Sequence, residues 1–293
     1  MSDTPSPPPS PPSPPPPATY RDDVATWHRF DDDEQRLSAP LSERMLDLAA
    51  LRPGHRVLDL ATGRGEPAVR AAARVAPGGH VVGVDVQAAM LDFAAERAAR
   101  EGVRNLALHV ADATTLAGVP AGPYDVALAR WGLMYLDDPI AALRAVLARL
   151  ATPGVLVAAM WAEPARVDWW RLPRALLARH APGAVADLDA TDPDRAGVFR
   201  YADPARIERD FATAGWRVER VEEMWVPVME SGAVDDLVAW CLAFGMGRLL
   251  AACAPGVREA WEADLRAEGE RRRARDGVIR LDGITLVVVA SPS

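Results

Sequence analysis

The chain has 293 residues, of which 49% are apolar, and a formal net charge of −8 at pH 7. This length and apolar fraction suffice for one large folded domain with an extensive core. The acidic balance disfavours nucleic acid as a partner, because a sequence-independent hold on phosphates requires a basic face.

The basic residues exclude several kinds of lysine-dependent chemistry, and the cysteines do not indicate a metal site. All 33 basic residues are arginines, which excludes Schiff bases, lysine-bound pyridoxal phosphate and a P-loop lysine. The two cysteines, Cys241 and Cys253, fit neither a disulfide framework nor a metal site. We therefore expect two buried thiols and no bound metal.

No segment of the sequence indicates a membrane or a secretory route. The longest apolar runs, near Val155 and Ile284, are far shorter than the roughly 20 residues that cross a bilayer. The N-terminus lacks a basic region followed by an apolar stretch. We expect a cytoplasmic protein that has no membrane partner.

The N-terminal region begins with a proline-rich tail. Residues 5–17 read PSPPPSPPSPPPP, and proline has neither an amide donor nor a free φ angle. We expect a disordered tail over residues 1–19 and a single domain over residues 20–293. From Pro40, the apolar residues Leu41, Met45 and Leu48 recur at helical spacing and predict a helix that ends at LRPG.

The middle of the chain alternates between strand and helix patterns. Strands are predicted at residues 56–61, 80–86, 106–111, 124–130 and 155–161, and helices at residues 67–75, 87–101 and 139–150. Short alternation of this kind implies right-handed parallel crossovers. We predict an α/β fold with a doubly wound sheet that helices cover on both faces.

The alternation breaks after residue 161. Two stretches near residues 162–203 and 232–276 are predicted to be helical lid insertions, the second with two helices within residues 234–270. Asp203 and Pro204 are typical of the cap and first turn of another helix. Two further strands, in WRVERVEEMWVPV and at residues 282–290, bring the predicted number of strands to seven.

One glycine-rich stretch helps to distinguish an anionic ligand, such as a dinucleotide, from a cationic one. In VLDLATGRGEPAVRAAA, Gly63, Gly65 and Ala68 follow the G-x-G-x-x-G/A spacing of many nucleotide-binding turns. A dinucleotide site uses positive potential to bind pyrophosphate, whereas Asp59 places a carboxylate on the strand before this loop. That carboxylate would repel phosphate and attract a sulfonium or an ammonium, and S-adenosylmethionine carries both.

Two more acids follow the next predicted strands. Asp85 ends the second strand, where a carboxylate can accept bonds from both ribose hydroxyls, although nicotinamide sites use the same device. Asp112 follows the third strand, where it can accept a hydrogen bond from the adenine amine. We expect all three acids at the carboxyl edge of the sheet, where open α/β folds bind their ligands.

Five segments together resemble a known family. They are VLDLATGRGEPA, VVGVDVQAAML, VADAT, YDVALARWGLMYLDDPIAAL and ATPGVLVA, in this order and spacing. They resemble class I S-adenosylmethionine-dependent methyltransferases over about residues 40–162, particularly the group similar to the quinone-biosynthesis methyltransferases. The resemblance implies a Rossmann-like methyltransferase fold, with a mostly parallel seven-stranded sheet and an antiparallel last strand. It also implies S-adenosyl-L-methionine as the cofactor.

The same resemblance implies which residues bind the cofactor. These are Asp59, Ala61, Gly63, Gly65 and the Arg130 carbonyl for the methionine part, Asp85 for the ribose with Val86 beside it, and Met90, Asp112 and Ala113 for the adenine. Arg64 departs from the small polar residue that is usual between the glycines. We expect its side chain to face solvent or to help at the carboxylate of the cofactor.

The candidates for a catalytic base are few. Methyl transfer from a sulfonium has a neutral leaving group, so alignment of the nucleophile with the methyl carbon supplies much of the rate. A base matters mainly when the nucleophile is a hydroxyl, an ammonium or an unactivated carbon acid. The candidates are His28 in the N-terminal segment, His180 in the first insertion and Tyr135 after the fourth strand.

Aromatic residues indicate the kind of acceptor. The chain has nine tryptophans, many of them near the predicted carboxyl edge or in the insertions, and aromatic lids make pockets that exclude water. Trp27, Trp131, Tyr135 and Trp161 are the candidate pocket residues. They favour a small, flat or apolar acceptor, such as a polyketide, quinone, phenol or terpenoid. O-, C- and N-methylation all stay open, as do a monomer and a homodimer.

Two other functions fit the same sequence. One is a cyclase, or another catalyst that uses bound S-adenosylmethionine as a fixed positive charge without transferring its methyl group. The other is a nicotinamide-dependent oxidoreductase, which NAD rather than S-adenosylhomocysteine would stabilise. Asp59 and Asp112 favour an S-adenosylmethionine site over a nicotinamide site. Production of S-adenosylhomocysteine from an acceptor would distinguish the methyltransferase from the cyclase.

Overall fold

The computed structural model describes residues 24–185 and 194–293, so the expected tail over residues 1–19 lies outside the described residues. The helices are α1 (Val24–Leu48), α2 (Ala68–Val75), α3 (Ala88–Arg100), α4 (Pro139–Leu147), α5 (Asp168–His180), α6 (Pro204–Thr213), α7 (Val234–Cys241), α8 (Gly247–Ala251) and α9 (Val257–Arg272). The strands are β1 (Arg56–Leu60), β2 (His80–Asp85), β3 (Leu106–Val110), β4 (Tyr124–Arg130), β5 (Leu150–Trp161), β6 (Trp216–Ser231) and β7 (Ile279–Pro292). None of the described helices is both long enough and apolar enough to cross a membrane.

The strands form one sheet in the order β3-β2-β1-β4-β5-β7-β6. Strands β1 to β5 are parallel, and β7 is antiparallel to both of its neighbours, β5 and β6. The predicted α/β fold with an antiparallel last strand is therefore confirmed. The order reverses direction between β1 and β4, so the carboxyl ends of these two strands flank the crevice where doubly wound folds bind ligands.

Both faces of the sheet are apolar, and most residues of its central strands are buried. In β1, Val57 and Leu58 are fully buried on opposite faces of the sheet. Leu41 and Met45 of α1 cover the face of Val57, together with the alanines of α2. The face of Leu58 packs against α4, α5, α6 and the later helices.

Helix α1 is longer than its apolar pattern predicted. It begins at Val24, whereas the spacing of apolar residues predicted a start at Pro40, which instead lies inside the helix. The first half of α1 escaped prediction because several of the side chains that it buries are polar. Asp31, Gln35 and Ser38 are each less than one-tenth exposed, and a helix that buries polar groups shows no apolar periodicity.

The two predicted insertions are helical, and their helices pack together. The indole of Trp261 in α9 donates a hydrogen bond of 2.8 Å to the Pro173 carbonyl in α5. Between α7 and α8, Gly245 has a φ of +110° inside a π-helical turn, so three helices stand where two were predicted. Cys241 is buried as expected, whereas Cys253 is only half-buried.

The start of α6 agrees with the sequence. The Asp203 carboxylate accepts a hydrogen bond of 2.9 Å from the Ala205 N–H, and Pro204 takes the first helical position. The cap satisfies an amide that has no partner within the helix.

Candidate active site

The loop between β1 and α2 turns sharply at the carboxyl edge of the sheet. Ala61, Gly63 and Gly65 have φ angles of +51°, +52° and +90°, in the left-handed region that favours glycine. A Cβ at Gly65 would lie 3.1 Å from side-chain carbons of both Ala94 and Val69. Glycine at this position therefore lets α2 and α3 pack closely against the loop.

The turn after β4 contacts the glycine loop directly. Trp131 has a φ of +53°, and a Cβ at Gly132 would lie 2.6 Å from the Cβ of Ala61. A non-glycine residue in the left-handed region costs about 1–3 kcal/mol, and such residues cluster at functional sites. The two strands that flank the crevice thus end in strained turns that touch each other.

Asp59 provides a buried carboxylate at the start of the glycine loop. Its Oδ2 accepts a hydrogen bond of 2.5 Å from the Thr62 hydroxyl, while Oδ1 has no partner among the described residues. Burial raises the pKa of Asp59 to about 7, although the Thr62 hydroxyl and the nearby Arg130 oppose this rise. A buried carboxylate oxygen without a donor is uncommon in proteins. At this loop, it offers an acceptor to a cationic ligand.

Asp85, at the end of β2, is bonded to the same loop. Its Oδ2 accepts a hydrogen bond of 2.9 Å from the Gly63 N–H, and its Oδ1 accepts one of 2.9 Å from the Gln87 N–H. Burial raises the pKa of Asp85, and these backbone hydrogen bonds lower it. Each carboxylate oxygen retains a lone pair that can accept a hydrogen bond from a ligand hydroxyl.

Apolar side chains stand exposed at the ends of β2 and β3. Val86 is 53% exposed and Val110 is 61% exposed, although valine is usually buried. Asp85 pairs with Val110 across the two strands, so these groups share one edge of the sheet. Asp112, two residues further on, is exposed and accepts a hydrogen bond of 2.8 Å from the Thr114 N–H. The edge combines an apolar surface with carboxylates, as a nucleoside requires.

The other predicted adenine residues lie at the same edge. Met90 is half-buried in the first turn of α3, and Ala113 is buried directly after Asp112.

Arg64 faces α1, and the expectation of a solvent-facing side chain is wrong. Its side chain is 7% exposed and forms ion pairs with Asp31 and Glu34 of α1. The expectation rested on the departure of Arg64 from the usual small residue, and the spacing of apolar residues gave no sign of a helix before Pro40. The longer α1 covers the glycine loop and supplies both carboxylates.

A second buried arginine joins the loop to α3. Arg97 of α3 forms ion pairs with Glu66 at 2.6 Å and with Glu101 at 2.8 Å, and it donates a hydrogen bond of 2.6 Å to Gln35 of α1. Sequence reasoning did not identify these residues. The signal in the sequence was that Arg64 and Glu66 are charged although the residues directly beside them, Gly63, Gly65 and Pro67, are small or apolar.

Arg130, the last residue of β4, places a third guanidinium beside the loop. Its Nη1 donates a hydrogen bond of 2.6 Å to the Ser38 hydroxyl, and its Nε donates one of 3.2 Å to the Glu66 carbonyl. The guanidinium carbon lies 4.8 Å from the centre of the Trp131 ring. Loss of hydration lowers the pKa of Arg130, and the neighbouring carboxylates raise it.

A row of aromatic rings begins at Trp131 and extends toward the two insertions. Trp131 stacks on Trp161 with 4.5 Å between ring centres, and its indole donates a hydrogen bond of 3.3 Å to the Thr285 hydroxyl. The row continues from Trp161 to Trp169 at 5.4 Å, from Trp169 to Trp240 at 6.2 Å, and from Trp240 to Phe244 at 4.4 Å. It connects the turn after β4 with both helical insertions.

The predicted catalytic candidates are spread over the structure. Tyr135 is half-buried in the short 3₁₀ turn that follows Trp131, at the carboxyl end of β4. His180 is exposed at the end of α5, where its Nε2 lies 3.0 Å from the Asp264 carboxylate of α9. Trp27 and His28 belong to the first turns of α1, and their side chains lie outside the described residues.

Comparison with known proteins decides what kind of protein carries this site. Residues 51–175 match the family model of a methyltransferase domain. The chain is 32% identical over 235 residues to the nocamycin O-methyltransferase of Saccharothrix syringae, and the match covers 77% of this chain and 81% of that protein. The solved S-adenosylmethionine-dependent methyltransferase of Aquifex aeolicus is similar with a TM-score of 0.50 at 19% identity, over 66% of this chain and 90% of that one. The chain belongs to the S-adenosylmethionine-dependent methyltransferases.

A second relative shares a shorter stretch of this methyltransferase. The aklanonic acid methyltransferase of Streptomyces sp. strain C5 is 36% identical over 104 residues, which cover 36% of this chain and 47% of that protein.

The site of this methyltransferase fits its cofactor, S-adenosylmethionine. The free Oδ1 of Asp59 suits a cationic group, and the glycine loop allows a ligand to approach the backbone. The exposed Val86 and Val110 suit a flat base. These features lie along one edge of the sheet.

The raised pKa of Asp59 predicts how stability depends on pH in the cofactor-free methyltransferase. The folded state keeps a proton on Asp59 up to about pH 7, whereas an unfolded aspartate releases it near pH ~4. The free energy of unfolding should therefore fall as the pH rises from about 4 to about 7, by on the order of a few kcal/mol. Urea titrations of the wild type and of Asp59→Asn at several pH values measure this, and the variant should show a smaller fall. Equal pH dependence in both proteins would contradict a buried carboxyl at this position.

Proposed function

We propose that this methyltransferase moves the methyl group of S-adenosylmethionine to an oxygen atom of a small, flat acceptor of the polyketide or aromatic type. The observation that carries the proposal is the row of aromatic rings that begins at Trp131, beside the glycine loop. Flat apolar molecules stack against an exposed ring face because both surfaces lose contact with water.

In the proposed cofactor arrangement, each part of the molecule meets one feature of the edge. The ammonium of the methionine part bonds to the free Oδ1 of Asp59 and to the Arg130 carbonyl, and its chain follows the backbone of residues 61–65. The ribose hydroxyls donate to Asp85. The adenine lies against the apolar surface of Val86, Val110 and Met90, and its amine donates to Asp112.

The acceptor pocket follows from the position of this cofactor. Trp131 and Tyr135 both lie in the turn after β4, next to the place where the sulfonium would stand. Trp161 is only 4% exposed and stacks on Trp131, so it would support the pocket wall from behind, and Trp27 of α1 is a further candidate for that wall. Since the insertions supply the outer rings of the row, we infer that they determine acceptor preference.

The reaction needs alignment more than acid–base chemistry. S-adenosylmethionine supplies an electrophilic methyl group on a sulfonium that leaves as a neutral thioether. The acceptor oxygen attacks the methyl carbon in line, so an O–C bond forms while the electron pair of the S–C bond returns to sulfur. A carboxylate or an acidic enol or phenol is already ionised near neutral pH and requires no base. For a less acidic hydroxyl, Tyr135 and His28 are the proposed bases, and His180 is the more distant candidate.

The name of the relative with the longer match supports oxygen as the target. One relative is named as an O-methyltransferase of nocamycin and the other as a methyltransferase of aklanonic acid. An acidic oxygen on a polyketide-type molecule agrees with both names and with the aromatic row.

The direct test is incubation of the protein with S-adenosylmethionine and a panel of aromatic polyketide acids, phenols and amines. Mass spectrometry should find S-adenosylhomocysteine and one O-methylated product in equal amounts. Methylation of carbon or nitrogen alone would contradict the choice of oxygen. Conversion of an acceptor without S-adenosylhomocysteine would favour the cyclase alternative.

Removal of the first ring in the row should weaken acceptor binding. Trp131→Ala deletes the indole that stacks on Trp161, and we expect KM for the acceptor to rise about tenfold or more. Trp225→Ala is the matched control, because Trp225 is 49% exposed on the edge strand β6 and should leave KM unchanged. Steady-state kinetics with the best acceptor of the panel measure both. Equal effects of the two substitutions would contradict a pocket at Trp131.

Removal of the ribose acceptor should weaken cofactor binding. Asp85→Ala deletes a carboxylate that hydrogen-bonds the glycine loop, and we expect affinity for S-adenosylhomocysteine to fall at least about tenfold, since hydrogen bonds to charged groups are worth about 1.5–3 kcal/mol. Asp92→Ala, at an exposed position on α3, is the control and should bind normally. Isothermal titration calorimetry measures the affinities, and unchanged binding to Asp85→Ala would refute the assignment.

A further inference from the structure

Arg130 differs from the two other arginines that contact the glycine loop or its neighbours. Arg64 forms ion pairs with two carboxylates of α1, and Arg97 forms ion pairs with Glu66 and Glu101. Within the described residues, Arg130 forms no ion pair with any carboxylate, and its hydrogen-bond acceptors are a hydroxyl and a backbone carbonyl. Of these three arginines, Arg130 is therefore the one without a direct counter-ion in the part of the chain that the structure describes.

The guanidinium of Arg130 also retains unused donors. A guanidinium has five N–H groups in a planar fork and keeps its charge in proteins. The hydrogen bonds to Ser38 and to the Glu66 carbonyl engage two nitrogens, Nη1 and Nε, and leave Nη2 without a described partner. These two contacts fix the plane of the fork, because Ser38 is itself held by a hydrogen bond of 2.7 Å to the Glu34 carbonyl.

An acidic group and a basic group thus stand on neighbouring strands without bonding each other. Asp59 belongs to β1 and Arg130 to β4, and these strands are paired in the sheet. Their charges attract through space, but Asp59 bonds Thr62 and Arg130 bonds Ser38. The end of an amino acid carries an ammonium and a carboxylate on one carbon, so a carboxylate and a guanidinium held apart are complementary to it.

We propose that the Arg130 side chain binds the carboxylate of the methionine part of S-adenosylmethionine. Ser38 and the Glu66 carbonyl act as positioning groups that orient the guanidinium, and Arg64 is excluded because Asp31 and Glu34 already occupy it. The assignment rests on the proposed placement of the methionine part at the glycine loop. It makes Arg130 a specificity-determining residue for a ligand that carries an intact amino-acid end.

A double comparison of ligand and protein isolates this contact. Calorimetry measures the binding of S-adenosylmethionine and of decarboxylated S-adenosylmethionine, which lacks only the carboxylate, to the wild type and to Arg130→Met. We expect the wild type to prefer the intact ligand at least about tenfold, as a charge-assisted bidentate bond provides. Arg130→Met should lose most of this preference and bind the decarboxylated ligand within about threefold of the wild type. Arg130→Gln serves the same purpose should Arg130→Met fail to fold, as judged by circular dichroism and thermal unfolding.

Asp59→Asn is the matched control, because both ligands carry the ammonium that Asp59 is proposed to bind. It should weaken both ligands by a similar factor and keep the preference for the carboxylate. A preference that persists in Arg130→Met or Arg130→Gln, or an equal loss for both ligands, would overturn the role of Arg130. Unchanged binding of both ligands to Asp59→Asn would instead overturn the placement of the methionine part, and no outcome depends on the identity of the acceptor.

Discussion

The buried carboxylate of Asp59 is the constraint on which the rest of the site depends. A glycine-rich turn between a strand and a helix suits a phosphate by itself, because its backbone N–H groups and the helix dipole are positive. Asp59 reverses this preference, since its Oδ1 lies beneath the turn without a donor. Burial costs the charged form free energy, as the raised pKa indicates. A cationic ligand removes that cost and an anionic one increases it.

Helix α1 holds the glycine loop in the conformation that this chemistry needs. Arg64 extends from the loop to Asp31 and Glu34 of α1, and Arg97 bonds Gln35 of α1 and Glu66 of the loop. Buried ion pairs contribute little net stability, because the loss of hydration offsets the attraction of the charges. Their value here is geometric, since they fix one helix over a loop that is already strained at Ala61. The arrangement also keeps Arg64 away from Asp59, so the acceptor oxygen stays free.

The sequence was sufficient for the sheet and for the acids at its edge, but not for the side chains that surround them. Asp59, Asp85 and Asp112 could be placed because alternating apolar strands define where a parallel sheet ends. The predicted helix was shorter than α1 because the first half of α1 buries Asp31, Gln35 and Ser38 instead of apolar residues. The prediction that the Arg64 side chain faces solvent was wrong because its partners, Asp31 and Glu34, lie in that first half of α1.

Other features depend on contacts that spacing does not encode. The partners of Arg130 are distant in sequence, 92 residues away at Ser38 and 64 residues away at Glu66. The aromatic row joins Trp131 of one turn to Trp240 of α7 through two other tryptophans. The sequence indicated that tryptophans gather near the edge, and only the fold determined which rings touch.

In the proposed arrangement, the charged groups at the sheet edge bind the cofactor and the aromatic row binds the acceptor. The common strands supply Asp59, Asp85 and Arg130 for the cofactor, and the insertions supply rings that suit a flat acceptor. A crystal structure of this methyltransferase with S-adenosylhomocysteine tests the central claim most directly. The account predicts the ammonium of the ligand within hydrogen-bond distance of the Asp59 carboxylate, with the ribose on Asp85. A ligand whose amino-acid end lies away from Asp59, or whose adenine occupies the glycine loop, would contradict it.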